Sequence, residues 1–357
     1  MSKVSHFTIG LDLGDKMSEV CVLDSERRIV QEGPLPTNPE RFEAFFNGFP
    51  GATLVFEVGS QSRWVQPLAR KSGIGAAIAA DPRQLKLISE SRKKTDQRDA
   101  YILARTGQGM PELLCPVEHR SESVQADLSM MRSRELLVDQ RTRMVTRIRG
   151  IVKATGYKLP SCSATYFFRQ AREHIPAHLK PACAPLLAVL EVIHEQLLEI
   201  TRQAKRLVKE KYPVVEVLMT APSVGLTTAM TFALTVETPK RIRGTRNIGA
   251  YLGMTPRKKE SGDSSPQLGI TKAGDTHLRR LLVLCAHHLL SRGKDCQLKR
   301  WGLALCLRGG RNAKKRAVVA VARKLSVHLL AIWKSGESYD LWKGVSESQK
   351  PDEPTTE

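Results

Sequence analysis

Short apolar runs separated by turn residues dominate the first eighty positions of this chain, and apolar residues at helical spacing dominate most of the rest. Phe7-Thr8-Ile9-Gly10-Leu11-Asp12-Leu13-Gly14 reads as a strand with an acid near its end. Ser18 to Asp24 and Arg28 to Leu35 supply two more strands joined by turn residues. Asn38-Pro39-Glu40 offers a cap and a first-turn proline for a helix running to about Phe49. Ala52 to Gly59 is a buried strand interrupted by one acid, Glu57. A helix (Ser62 to Ser72), a strand (Gly75 to Ala80) and a helix from about Pro82 follow. From Ser121 to Gly156, Leu128, Met131, Leu137, Met144, Ile148 and Val152 mark a long helix studded with arginine. Prolines 160, 176, 181 and 185 break the next stretch into loops and short helices. A second long helix is expected from about Pro185 to Lys211, with Leu187, Leu190, Ile193 and Leu197 along one side. Further helices are expected over Thr276 to Ser291 and Asn312 to Trp333.

Three hairpin strands followed by helix–strand–helix–strand imply a mixed sheet flanked by helices, an order that matches an RNase H-like fold. The expected class is therefore α/β plus α. The boundaries are a sheet domain over 1–115, a helical or coiled-coil region over 116–213, a mainly helical basic domain over 214–335, and a tail over 336–357. The two long helices predict either an antiparallel hairpin or a dimerising coiled coil. The tail from about Ser346, rich in Pro, Glu, Thr and Ser, has the composition of a disordered segment.

Charge changes this picture. The chain of 357 residues carries a formal net charge of +20. The charge is nearly balanced over 1–115 (+1) and rises through 116–215 (+7) to 216–357 (+12). A near-neutral first part joined to a strongly basic last part predicts a polyanion, with nucleic acid the default partner. No apolar run approaches the ~18 residues of a membrane span, and the first residues lack a signal-peptide core. Seven scattered cysteines without a CxxC pair predict free thiols in a reducing cytoplasm.

The candidate chemistry lies in carboxylates and one serine loop. In Lys94-Thr95-Asp96-Gln97-Arg98-Asp99-Ala100, Asp96 and Asp99 stand three residues apart on what reads as a helix, so they share a face. An acidic pair at a helix N-terminus is also what the dipole favours with no function at all. Asp12 and Glu57 lie on strands that neighbour each other in an RNase H-like sheet, and an acid in an apolar strand is costly unless bonded or metal-bound. Together the four give hard oxygen ligands suited to Mg²⁺ or Mn²⁺, ions able to drive phosphodiester chemistry. Gly10-Leu11-Asp12-Leu13-Gly14 also fits the first phosphate loop of actin-like ATPases. That alternative lacks the later glycine-rich loops and leaves the Asp96/Asp99 pair unexplained.

Leu218 to Ala229, with Pro222 and Gly225, is similar to the Pro-x-x-Gly turn between short helices that holds DNA backbone. Arg257, Lys258 and Lys259 flank the polar loop carrying Ser261, Ser264 and Ser265; Lys272, Arg279 and Arg280 follow, and Lys314, Lys315 and Arg316 open the last helix. A serine between such clusters can bind a phosphate or attack one. Cys285, His287 and His288 lack a matching ligand pair at finger spacing and are read as core and interface.

Taken together, Asp12, Glu57, Lys94-Thr95-Asp96-Gln97-Arg98-Asp99-Ala100, the Gly253-to-Gly262 block and Ile270-Thr271-Lys272-Ala273-Gly274 resemble the DEDD transposases of bacterial insertion sequences, the bridge-RNA-guided recombinases. The resemblance covers residues 7 to about 335. It implies a RuvC-like first domain, a coiled-coil insertion and a transposase domain, with Asp12, Glu57, Asp96 and Asp99 holding Mg²⁺ or Mn²⁺. It places the nucleophile on Ser261, with Ser264 and Ser265 close by. It further implies a covalent phosphoserine, a tetramer whose composite sites draw on two protomers, donor and target DNA, and a structured non-coding guide RNA. Two other functions fit the same residues: a metal-dependent nuclease of the Holliday-junction type, and a non-catalytic nucleic-acid-binding protein.

Overall fold

The computed structural model describes residues 7–82, 95–259, 264, 266 and 268–343. The chain forms two compact units, Met1–Arg120 and Ser121–Glu357.

The first unit is built on a five-stranded sheet of β1 (Thr8–Asp12), β2 (Met17–Leu23), β3 (Ile29–Pro36), β4 (Thr53–Glu57) and β5 (Ala76–Ala80), in the order β3-β2-β1-β4-β5. β1 runs antiparallel to β2 and parallel to β4, and β5 runs parallel to β4. β3 is exposed along most of its length and carries Pro34 and Pro36, which an edge strand tolerates. The period of two divides the strands between two layers. Ile9, Leu11, Val20, Val22, Leu54 and Phe56 share one core with Phe42 and Phe46 of α1 (Pro39–Asn47) and Val65 and Ala69 of α2 (Ser62–Lys71). Cys21 and Leu23, and separately Val55 and Ala80, face Ala100, Leu103 and Ala104 of α3 (Asp96–Gly109). Asn38 caps α1 as its pattern predicts, accepting from the Arg41 amide at 2.9 Å with Pro39 in the first turn. Residues 83–94, which include most of the helix expected from Pro82, lie outside the described residues.

Gly10 decides how α3 sits on the sheet. A Cβ there would run into the Ala100 carbonyl and the Ala104 amide, and one at Gly107 would strike Val55 beside Thr8. Helix backbone therefore rests on strand backbone. Position 107 lies towards the start of β1 and position 100 over its middle, so α3 runs antiparallel to β1.

In the second unit, α4 (Glu122–Ala154) and α6 (Lys180–Glu210) pack as an antiparallel hairpin. Val145, Ile148 and Val152 near the end of α4 meet Cys183, Leu187 and Leu190 near the start of α6. At the other end, Tyr212 donates to Asp127 at 2.7 Å. Of the two arrangements the sequence leaves open, the single chain forms the hairpin. α5 (Phe167–His174) and a 3₁₀ turn (Ala177–Leu179) fill the proline-broken connection. α6 begins five residues earlier than expected: Pro181 occupies its first turn, and Pro185 forfeits only one backbone bond.

The base of the hairpin joins a larger core made by α7 (Val214–Met219), α8 (Leu226–Val236), α9 (Ile248–Tyr251), α10 (Thr276–Arg292), α11 (Gln297–Leu307) and α12 (Ala313–Ser335). Every residue of α8 from Thr228 to Val236 is buried, which is why its sequence has no helical period: all faces meet core. α11, likewise unmarked by a polar cap, starts where the Cys296 thiol accepts from the Lys299 amide at 3.4 Å. No helix among the described residues is long and apolar enough to cross a membrane.

Gly10→Ala is expected to cost at least ~2–3 kcal/mol of unfolding free energy, since strand and helix backbones must separate. Gly150→Ala, on an exposed helix position with open space around the new methyl, should be neutral or stabilise by up to ~1 kcal/mol. Urea unfolding of the two variants checks the contrast.

Candidate active site

Asp12 and Glu57 are the last residues of adjacent parallel strands. The register pairs Leu11 with Phe56, so one further step sets Asp12 beside Glu57. Both are half-buried. The antiparallel direction of α3 carries its first turn to this same end of β1. Thr95 caps that turn, its hydroxyl accepting from the Arg98 amide at 3.3 Å, and Asp96 and Asp99 both fall within it. The four sequence-predicted carboxylates thus converge on one end of the sheet. Among the described residues, no three acidic, histidine or cysteine side chains close into a preformed cage, so the arrangement is an open one.

A fifth acid, Glu19, escapes the sequence reading. It is the cross-strand partner of Asp12 on β2. Its Oε2 is buried and makes no hydrogen bond. Burial first, then the nearby charges of Asp96 and Glu32, push its carboxyl above the usual range. The alternation of Ser18-Glu19-Val20 could have signalled it, but an acid on a hairpin strand has many ordinary explanations. A set of carboxylates without cysteine or histidine, one of them with a desolvated oxygen lacking a partner, fits a hard divalent cation.

The serine loop belongs to the second unit. Residues 260–263, Ser261 among them, lie outside the described residues, as does Ser265; Ser264 is exposed. The stem of the loop is well defined. Pro256 and Ile270 form an antiparallel bridge, the Arg257 amide donates to Gly269 at 3.0 Å, and the Thr271 amide donates to Thr255 at 2.9 Å. Gly253 and Gly274, both at positive φ, lie against the backbones of Ala273 and Tyr251, where any Cβ would collide. Arg279 locks this contact. It is buried, and its guanidinium donates to the Leu252 carbonyl at 3.0 Å and the Ala273 carbonyl at 3.2 Å.

The basic residues therefore divide. Arg279 is spent on the stem, and Arg280 pairs with Glu135 and Asp139 of α4, so neither presents a free guanidinium to a phosphate. Arg132 pairs with Asp275, which also caps α10 by accepting from the Leu278 amide at 2.8 Å. Arg149 covers the Phe167 ring at 4.9 Å. Arg257, Lys258, Lys259, Lys272, Lys314, Lys315 and Arg316 are exposed. Between the loop stem and α12 lies a cavity of about 1030 Å³. The Pro222–Gly225 turn does join two helices, α7 and α8, with Ser223 at positive φ and its hydroxyl 2.9 Å from His288 Nδ1. Cys285 faces the core while His287 and His288 are exposed, so the three share no site.

Two family models match the chain in order. One, described as a DEDD transposase of the IS110 type, matches residues 9–156 and contains all five acids. The other, described as the transposase IS116/IS110/IS902 family, matches residues 215–301 and contains the serine loop and its stem. The chain belongs to this transposase family. It is 30% identical over 179 residues to the transposase for insertion sequence element IS1328 of Yersinia enterocolitica, covering 49% of this chain and only 53% of that relative. It is 24% identical over 344 residues to the transposase for insertion sequence element IS1111A of Coxiella burnetii, covering 93% of this chain and 90% of that one.

Three variants test how the transposase uses these residues. A carboxyl whose folded pKa is raised stabilises when protonated and loses that contribution as pH rises through the folded value. Glu19→Gln should therefore stabilise the metal-free protein at pH 7.5, with the gain fading as pH falls towards 4.5, measured by urea unfolding in EDTA. Arg279→Ala should cost about 2–4 kcal/mol by orphaning buried carbonyls and removing packed stem. Lys315→Ala should cost under ~0.5 kcal/mol but weaken DNA binding and lower its salt slope by about one.

Proposed function

We propose that this transposase breaks and rejoins DNA strands at a divalent-metal site, using Ser261 as nucleophile. The observation that carries the reading is the convergence of Asp12, Glu57, Asp96 and Asp99 on one end of the sheet. The strand order β3-β2-β1-β4-β5, with β1 to β3 antiparallel and β4 and β5 parallel to β1, supports an RNase H-like, RuvC-like assignment for the first unit. Bound at these carboxylates, Mg²⁺ or Mn²⁺ supplies Lewis-acid polarisation of a DNA phosphate. Glu19, directly across from Asp12, has a buried carboxyl oxygen without a hydrogen bond, which a cation held there would satisfy.

Ser261 Oγ attacks the scissile phosphorus, and the proton it gives up is matched, through solvent, by the one the departing 3′ oxygen takes on. The Oγ–P bond forms as the bond from phosphorus to the 3′ oxygen breaks, and that oxygen leaves as a 3′-hydroxyl. A 3′-hydroxyl from the exchanging strand then attacks the phosphoserine, restoring a phosphodiester and the free serine. Because the ester conserves the bond, no nucleotide hydrolysis is required. Arg257, Lys258 and Lys259, beside the serine, offset the charge that builds on the phosphate. Lys272, Lys314, Lys315 and Arg316 hold the DNA backbone.

The working assembly is a tetramer of this chain with donor DNA, target DNA and a structured guide RNA. Sequence choice is delegated to base pairing, while the protein reads backbone.

Incubated with Mg²⁺, cognate DNA and the RNA encoded beside its gene, the protein should form an adduct with DNA that survives denaturation and vanishes in Ser261→Ala. Cleavage persisting in that variant would instead indicate hydrolysis by water. Asp99→Asn should abolish strand breakage while RNA binding, measured by gel shift, changes less than about twofold.

A further inference from the structure

The cavity between the loop stem and α12 has a composition that phosphate binding alone does not require. Nine of its lining residues are lysine or arginine, and none of those described is acidic. Its floor, however, is apolar. α12 presents one stripe to it that changes character turn by turn: Lys315 and Arg316, then Val319 and Ala320, then Arg323 and Lys324, then Val327 and His328. Positions three and four apart share a helix face, so cations and apolar side chains alternate every ~5.4 Å along the cavity. Trp301 of α11 forms part of the wall, with the Lys324 ammonium 4.4 Å from the centre of its ring.

Helix polarity adds to the demand for an anion. The first turn of α12 carries Lys314, Lys315 and Arg316 and no acid. The dipole makes that end positive and disfavours cations there. The described residues supply Arg316 only with the Gly309 carbonyl at 3.4 Å. An external polyanion would offset both effects.

We propose that this cavity holds an unpaired stretch of nucleic acid, its phosphates on the cations and at least one base inserted over Val319 and Ala320 beside Trp301. A duplex keeps its bases stacked and would leave the apolar floor exposed to water, whereas an unpaired strand presents both a charged backbone and a flat apolar face. That combination of basic groove and aromatic platform is how single strands are bound without sequence preference. The volume, about 1030 Å³, is at the upper end of clefts that enclose small organic ligands (~300–1,000 Å³), enough for a nucleotide with its flanking phosphate. The stem residues Arg257 and Lys258 border the same cavity, so a strand held there runs along the stem.

This inference rests on the nucleic-acid reading above but on none of its chemistry. Failure of the unaltered chain to form the serine adduct would overturn that mechanism and leave the binding assay intact. Fluorescence anisotropy of the full chain, at one fixed salt concentration, should be measured with labelled single-stranded DNA, single-stranded RNA, a blunt duplex and an abasic strand. Ala320→Leu, which fills the floor with a good helix former, and Trp301→Ala should each weaken binding to a single strand about tenfold, the equivalent of ~1.4 kcal/mol of stacking. Duplex affinity should change less than about twofold. The abasic strand should bind wild type as weakly as the intact strand binds Ala320→Leu, and the DNA and RNA arms identify which strand is held. Equal losses on single strand and duplex, an abasic strand bound as tightly as an intact one, or displacement by polyglutamate as effective as by unlabelled oligonucleotide would each overturn the proposal.

Discussion

The contact on which the first unit depends is the approach of two backbones at Gly10. The Ala100 carbonyl occupies the space a side chain would need, so α3 lies directly on the central strand. Two consequences follow from this one absence of a Cβ. The close approach lets Ala100 and Ala104 join the core beneath the helix. It also fixes the position of the first turn of α3 along β1, and with it the height at which Asp96 and Asp99 reach the sheet end. A helix held off by even one methyl would carry those carboxylates away from Asp12 and Glu57. The acids themselves contribute little to holding the unit together: like charges gathered at a sheet end repel, and at Glu19 burial first, then the charges of Asp96 and Glu32, raise the carboxyl above its ordinary range.

The second unit shows the same device serving a loop. Gly253 and Gly274 bring the two arms of the stem together backbone to backbone, and a buried arginine bonds to carbonyls on both. The loop that carries Ser261 is therefore anchored on a rigid base packed against α10. The hairpin of α4 and α6 is tied to the same helix by polar contacts, through Arg280 with Glu135 and Asp139 and through Arg132 with Asp275. Those pairs take up charge that an even reading of the basic residues would assign to DNA. Of the basic residues the sequence assigned to nucleic acid, those left exposed are Arg257, Lys258, Lys259 and Lys272 around the loop stem and Lys314, Lys315 and Arg316 at the start of α12.

Much of the architecture was legible because the residues that form it obey simple periods. Strands β1, β2, β4 and β5 alternate between two apolar layers, and Asn38-Pro39 announces a helix start through the bonds it can and cannot make. The long helices carry a stripe because only one side is buried. α8 and α11 were not legible for the converse reason. A helix buried on every side has no polar face to reveal its period, and one capped by a cysteine lacks the usual hydroxyl or carboxylate. Glu19 was passed over because its significance lies in the strand register, which pairs it with Asp12 across a hairpin.

By itself the sequence determined the charge imbalance, the order of the five strands and the candidate acids Asp12, Glu57, Asp96 and Asp99, since these follow from residue type and spacing along the chain. Only the tertiary structure decided which end of the sheet the acids share, that Glu19 joins them, and that Arg279 and Arg280 are structural while Lys315 and Arg316 face a cavity. The reason is physical: charge and local period are properties of neighbours in sequence. Burial, register and direction of packing arise only when distant backbones meet, and here they meet at glycines.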